Sequence, residues 1–155
     1  MKRLVIDSEV GPEMLVGIVD FLEQLEGEGM IYFTSEGGDT QYGRWIVDLL
    51  NEYKEVITLN IGQCIMSAGF YIVYNFKGKV IINDLTVGMV HSGSNMMNIG
   101  SSLLETRKRE HDKMTLEDIK NYSFLSKSEQ RDFKKGVDIL LSNERLKEIY
   151  EQKAN

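Results

Sequence analysis

The sequence predicts an α/β domain with a mostly parallel sheet, and three observations point there. Short apolar runs of strand length recur along the first ninety residues. Stretches with apolar residues at three- and four-residue spacing separate them. Glycine- and serine-rich loops follow two of the runs, at the carboxyl ends where such folds place functional loops.

Leu4-Val5-Ile6 opens the chain as a short strand, and Asp7 to Pro12 turns it. Pro12 suits the first position of a helix. Met14, Leu15, Ile18, Val19, Leu22 and Leu25 then mark an amphipathic helix over 12–26, which Gly27 and Gly29 end. Met30 to Thr34 reads as a buried strand, Ser35-Glu36-Gly37-Gly38-Asp39-Thr40 as the loop after it, and a second helix carries Trp45, Ile46, Leu49 and Leu50 on one face. Val56 to Ile61 is a third strand that reaches a tight turn at Gly62. A helix opened by Ser67 then runs to about Asn75. Lys77-Gly78-Lys79 leads into the strand Val80-Ile81-Ile82. Asn83-Asp84 turns again, and Val87-Gly88-Met89-Val90-His91 is a strand with a histidine at its end.

The character then changes. Residues 92–102 are polar and dotted with glycine, leaving Met96, Met97 and Ile99 as isolated apolar residues. Residues 102–122 read as a long charged helix with Met114-Thr115 as its candidate break; Arg107-Lys108-Arg109, interleaved with acids, reads as a solvated face. Ser126-Lys127-Ser128-Glu129 has the spacing of a capping box for a short helix to Lys135. Residues 136–142 are extended, and Ser142 caps a last helix bearing Leu146, Ile149 and Tyr150.

Composition narrows the function classes. A chain of 155 residues with 42% hydrophobic and 27% charged content fits one globular domain. No apolar stretch approaches a bilayer span and no signal-peptide core follows Met1, so a cytoplasmic location without a membrane partner is expected. A net charge of -6 opposes a nucleic-acid partner, and Cys64, the one cysteine, excludes an internal disulfide and a cysteine-based zinc site.

The segment Asn60 to Phe70 carries a candidate for chemistry. A serine at the start of a helix sits beside unpaired backbone N–H groups and the positive end of the helix dipole, which suits a nucleophile and the oxyanion it creates. The alternative is that Ser67 only caps the helix.

Together these pieces resemble the ClpP-type family of serine peptidases, whose wider group shares the crotonase fold. Ile31 to Thr40 is similar to the family's strand ending in Asn-Ser-Pro-Gly-Gly-Ser. Ile61-Gly62-Gln63 through Ser67-Ala68-Gly69-Phe70 is similar to its Ile-Gly-Gln-Ala-Ala-Ser-Met-Gly-Ala-Phe. Lys77-Gly78-Lys79 matches a tripeptide of many members, Met89-Val90-His91 resembles Met-Ile-His, and Val137 to Ser142 resembles Arg-Asp-(any)-Phe-Met-Ser. The resemblance spans about residues 4–150. It implies a single ClpP/crotonase-like domain over 1–155, built of repeated strand-helix turns with a protruding helical arm at about 92–135.

It also implies roles. Ser67 would be the nucleophile, His91 the general base and Asp138 the group that orients it, in a serine endopeptidase acting on peptides or unfolded protein. Gly37 or Gly38, with the N–H of Ala68, would donate to the oxyanion. An unassisted serine hydroxyl is a weak nucleophile, and an unperturbed imidazole titrates at about 6.5, so it can take the proton near neutral pH. No metal or organic cofactor is implied. The expected assembly is a homo-oligomeric ring, hexameric or heptameric, or a double ring joined through 92–135, with Met96, Met97 and Ile99 covered.

The match departs from the family in places. Counted forward from Gly38, the nucleophile slot falls on Ser67; counted without gaps from Gly62, or back from Lys77-Gly78-Lys79 and His91, it falls on Met66, whose thioether cannot attack a carbonyl. That register describes an inactive scaffold or paralogue. Glu36 stands where the family has proline, and Ser92-Gly93 where it has Gln-Pro. The start at the first strand and the ending soon after the last helix weigh against a Clp-type ATPase partner and favour a stand-alone or phage-like relative. An acyl-CoA enzyme on the same fold is a third reading, disfavoured by the acidic balance and the lack of a nucleotide-binding loop.

Overall fold

The computed structural model describes residues 1–92 and 101–154, and side chains except those of 101–107 and 154. In chain order its elements are β1 (Lys2–Asp7), α1 (Pro12–Glu23), β2 (Gly29–Ser35), α2 (Thr40–Glu52), β3 (Ile57–Met66), α3 (Ala68–Asn75), β4 (Lys79–Ile82), β5 (Val87–Val90), α4 (Ser101–Asn121), α5 (Lys127–Lys134), β6 (Ile139–Leu141) and α6 (Asn143–Ala154). The chain divides into two compact units, Met1–Met89 with Leu140–Asn155 and Val90–Ile139.

In the first unit the sheet runs β1-β2-β3-β5-β6, with β4 also on β3. The pairs β1–β2, β2–β3, β3–β4 and β3–β5 are all parallel, as the alternation of strands and helices predicts. Ile31 and Phe33 of β2 and Leu59, Ile61 and Ile65 of β3 are fully buried, together with Ile46 and Leu50 of α2 and Phe70, Ile72 and Val73 of α3. Each such side chain contributes about 1.5–3 kcal/mol relative to exposure, which makes this layer the main source of stability.

β3 organises the unit, and it differs from the expectation. Gly62 does not turn the chain. The strand continues to Met66 because its far edge changes partner, from β4 along Thr58–Ile61 to β5 along Cys64–Met66. Thr86, wholly buried, bridges the handover by donating its hydroxyl to the carbonyls of Ile61 and Gly62, at 3.3 and 2.6 Å. Asn83 Nδ2 also donates to the Ile61 carbonyl. Backbone oxygens that would otherwise be orphaned between two strands are thereby satisfied. Gly62 is required for close approach rather than for a turn: a Cβ there would meet Thr34 Oγ1 at 2.2 Å.

Other boundaries also shift. α1 ends at Glu23, and Gly29 is the first residue of β2 rather than a helix stop. The inner face of α2 is Gly43, Ile46, Val47 and Leu50. Trp45 is 49% exposed and stacks edge-on against Tyr42 at 5.1 Å instead. In α6, Leu146 and Ile149 are buried as expected, and Ser142 Oγ accepts the Arg145 N–H.

The second unit holds α4 and α5. α4 runs through Met114-Thr115 without the expected break. Of the face Arg107-Lys108-Arg109, Lys108 and Arg109 are exposed, and the Arg107 side chain lies outside the described ones. Tyr122, Leu125 and Phe133 form its buried cluster, with the Tyr122 and Phe133 rings edge-to-face at 6.3 Å. Ser126 opens α5 through the full reciprocal capping box with Glu129. Met96, Met97 and Ile99 lie outside the described residues.

Candidate active site

β3 ends at Met66 and α3 begins at Ala68, so Ser67 alone makes the strand-to-helix bend. Its φ of 54° and ψ of −121° fall outside the regions open to residues with a Cβ. Among the described residues it is the one non-glycine with positive φ. Such strain costs about 1–3 kcal/mol and persists only where the surroundings impose it. Here the Ser67 N–H donates to the Met89 carbonyl at 2.9 Å, and the Ser67 carbonyl accepts the Tyr71 N–H at 3.0 Å. The hydroxyl makes no capping bond to α3, so the role of simple helix cap is not the one observed. Met66, the rival register, is an ordinary strand residue paired with Met89.

The bend directs the serine at the loop after β2. A Cβ built on Gly37 would lie 2.9 Å from Ser67 Cβ and 3.5 Å from its Oγ, so only glycine fits there. Gly38 is equally constrained, by Val10, whose carbonyl oxygen would be 2.3 Å from an added Cβ. Val10 bridges this loop: its N–H donates to the Gly37 carbonyl and its carbonyl accepts the Asp39 N–H, both at 2.9 Å. Asp39 then caps α2 through the N–H groups of Gln41 and Tyr42.

The two glycines are not equivalent as donors. The Gly37 N–H donates to the buried Ser35 Oγ at 3.2 Å, a local turn closed by the serine side chain. Neither bond of the Val10 bridge uses the Gly38 N–H. Opposite, Ala68 stands at the first position of α3, where backbone N–H groups have no intrahelical acceptor. Ser35 was not singled out by the sequence reading. Its signal is a serine two residues before a Gly-Gly pair at the end of a buried strand.

Three residues upstream of Ser67 stands Cys64, a half-buried free thiol. Burial first, then the carboxylates of Glu36 and Asp7, push its thiol up and disfavour the reactive thiolate.

In the second unit His91 follows β5 directly, and Asp138 precedes β6. The two meet: His91 Nδ1 lies 3.1 Å from Asp138 Oδ1. The turn that delivers Asp138 is a Schellman ending of α5. The Val137 N–H donates to the Asp132 carbonyl at 3.0 Å, the Gly136 N–H to the Phe133 carbonyl at 3.1 Å, and Gly136 takes φ 80°. A carboxylate accepts only, so in the neutral ring this contact favours the proton on Nδ1 and the lone pair on Nε2. Among the described residues no group of three His, Cys, Asp or Glu side chains comes together as a metal site.

Comparison with known proteins bears on the fold and the family. No curated protein matches the chain. Among solved structures, the ClpP1 N165D mutant from Listeria monocytogenes superposes with a TM-score of 0.66 at 17% identity, over 96% of this chain and 86% of that one. At that identity the likeness shows the shared ClpP/crotonase-like fold. The sequence itself matches the Clp protease family over residues 3–148. With nearly its whole length inside that match, the chain belongs to the Clp protease family.

Proposed function

We propose that the protein is a serine endopeptidase in which Ser67 is the nucleophile, His91 the general base and Asp138 the orienting acid. The observation that carries this reading is the forced conformation of Ser67, a strained strand-to-helix bend of the kind that exposes a nucleophilic hydroxyl. The His91–Asp138 contact supports it, because it selects the tautomer a base needs.

In this mechanism Ser67 Oγ bonds to the carbonyl carbon of the scissile peptide as its proton passes to His91 Nε2. The oxyanion takes hydrogen bonds from the N–H groups of Gly38 and Ala68; Gly38 serves better than Gly37, whose N–H is held by Ser35. His91 then protonates the departing amine as the C–N bond breaks. Water, deprotonated by the same imidazole, hydrolyses the acyl-enzyme. The substrate is a peptide or unfolded chain, and no cofactor takes part.

The proposal includes a single ClpP-like domain in which the second unit serves as the arm, assembled into a homo-oligomeric ring. Leu85 and Leu140 support assembly, being 86% and 76% exposed and apolar, surface that a second copy would cover. Among the described residues no helix is long and apolar enough to cross a membrane. A cytoplasmic location is part of the proposal. Hydrolysis of an unstructured, quenched fluorescent peptide library tests the activity: wild type should cleave and Ser67→Ala should not. Equal rates in the two would end the reading.

A further inference from the structure

The chain has two histidines, and the second has no place in the mechanism above. His111 lies in α4, and its Nε2 is 3.2 Å from the carbonyl oxygen of Ser92, the residue after His91. A carbonyl accepts only, so Nε2 carries the proton and donates. The bond joins positions nineteen apart in sequence. Ser92 is met from a second direction too, since a Cβ on Gly136 would come 3.9 Å from its Oγ. Gly136 belongs to the turn that delivers Asp138.

We infer that His111 is a positioning residue that fixes the backbone carrying His91. The inference rests on reading His91 as the base. Asp138 holds the ring from a site open to solvent: the His91 and Asp138 side chains are 29% and 60% exposed, and a surface pair of this kind favours its bound geometry by a factor of about five or less. His111 is less exposed, at 22%, and its bond acts on the main chain. Asp138 thus holds the imidazole at Nδ1, while α4 holds the carbonyl of Ser92, the next residue along the main chain. The contact needs only an N–H aimed at a carbonyl, which both the neutral Nε2–H tautomer and the imidazolium supply. With Asp112 Oδ1 3.8 Å from Nδ1, protonation does not oppose it.

This predicts a pattern that a merely structural residue would not produce. His111→Leu keeps volume and removes the donor. His111→Gln keeps a donor at nearly the reach of Nε2. The leucine variant should lose about tenfold in kcat, with KM within about twofold, because a base displaced by a fraction of an ångström loses rate rather than binding. The glutamine variant should recover to within about threefold of wild type. The second readout is independent of turnover: the His91 ring signals in protein labelled with 15N-histidine, followed through a pH titration. They should move in His111→Leu and return in His111→Gln.

Three results would overturn the inference: both variants matching wild type, both losing activity equally, or unchanged His91 ring signals in the leucine variant. A folded but inactive wild type whose His91 signals still follow the donor would refute the peptidase reading and leave the positioning role of His111 standing.

Discussion

Replacing Ser67 by glycine should stabilise the protein relative to replacing it by alanine, although both remove the hydroxyl. Alanine retains the Cβ that makes φ 54°, ψ −121° unfavourable, whereas glycine reaches that region freely. The relief is about 1–3 kcal/mol, and the extra chain entropy of glycine in the unfolded state returns about 0.5–1 kcal/mol of it. A net gain of about 1 kcal/mol is expected, or about 2–4 °C in Tm for a chain of this size. Urea unfolding of Ser67→Ala and Ser67→Gly under the same conditions measures it. The midpoint should be higher for glycine at unchanged slope, so that the difference reports stability and not a change in the denatured state. A glycine variant no more stable than alanine would mean that the bend is not imposed on Ser67 in solution, and the main support for its nucleophilic role would go with it.

Three further outcomes follow from the same geometry. Gly38→Ala places a Cβ 2.3 Å from the Val10 carbonyl oxygen, so the loop must move; acylation should fall by about 10²-fold or more, read as the rate of phosphonate labelling. Ser35→Ala leaves the Gly37 N–H without its acceptor in a buried loop and should cost about 1–3 kcal/mol by urea unfolding; a change near zero would show that water replaces the hydroxyl. Cys64 should be alkylated by iodoacetamide at pH 8 more slowly in the folded protein than in the urea-unfolded chain. Burial and the charges of Glu36 and Asp7 suppress its thiolate, and Glu36→Gln should speed the reaction in the folded protein.

The parallel α/β layering was legible because hydrophobic period and glycine placement are local signals. The capping box at Ser126 and Glu129 was legible for the same reason: its donors and acceptors are three residues apart. Ser67 at a strand-helix boundary could be read from Ser-Ala-Gly after an apolar run, but not which residue bends. That depends on the Met89 carbonyl, which β5 brings to the Ser67 N–H. Gly62 looked like a turn because nothing nearby records that β3 exchanges β4 for β5 on one edge. Trp45 falls with Ile46, Leu49 and Leu50 on one face in the sequence, yet α2 packs through the side bearing the small Gly43. The bond from His111 to Ser92 has no local trace at all, since it joins a helix to the end of a strand.

The central claim is that Ser67 is an activated nucleophile, and mapping the site of a fluorophosphonate adduct by mass spectrometry tests it most directly. The mass shift should fall on the peptide containing Ser67, disappear in Ser67→Ala, and be nearly lost in His91→Ala, because nucleophile and base act as one unit. An adduct on another residue, or labelling of folded Ser67→Ala at the wild-type rate, would contradict the assignment.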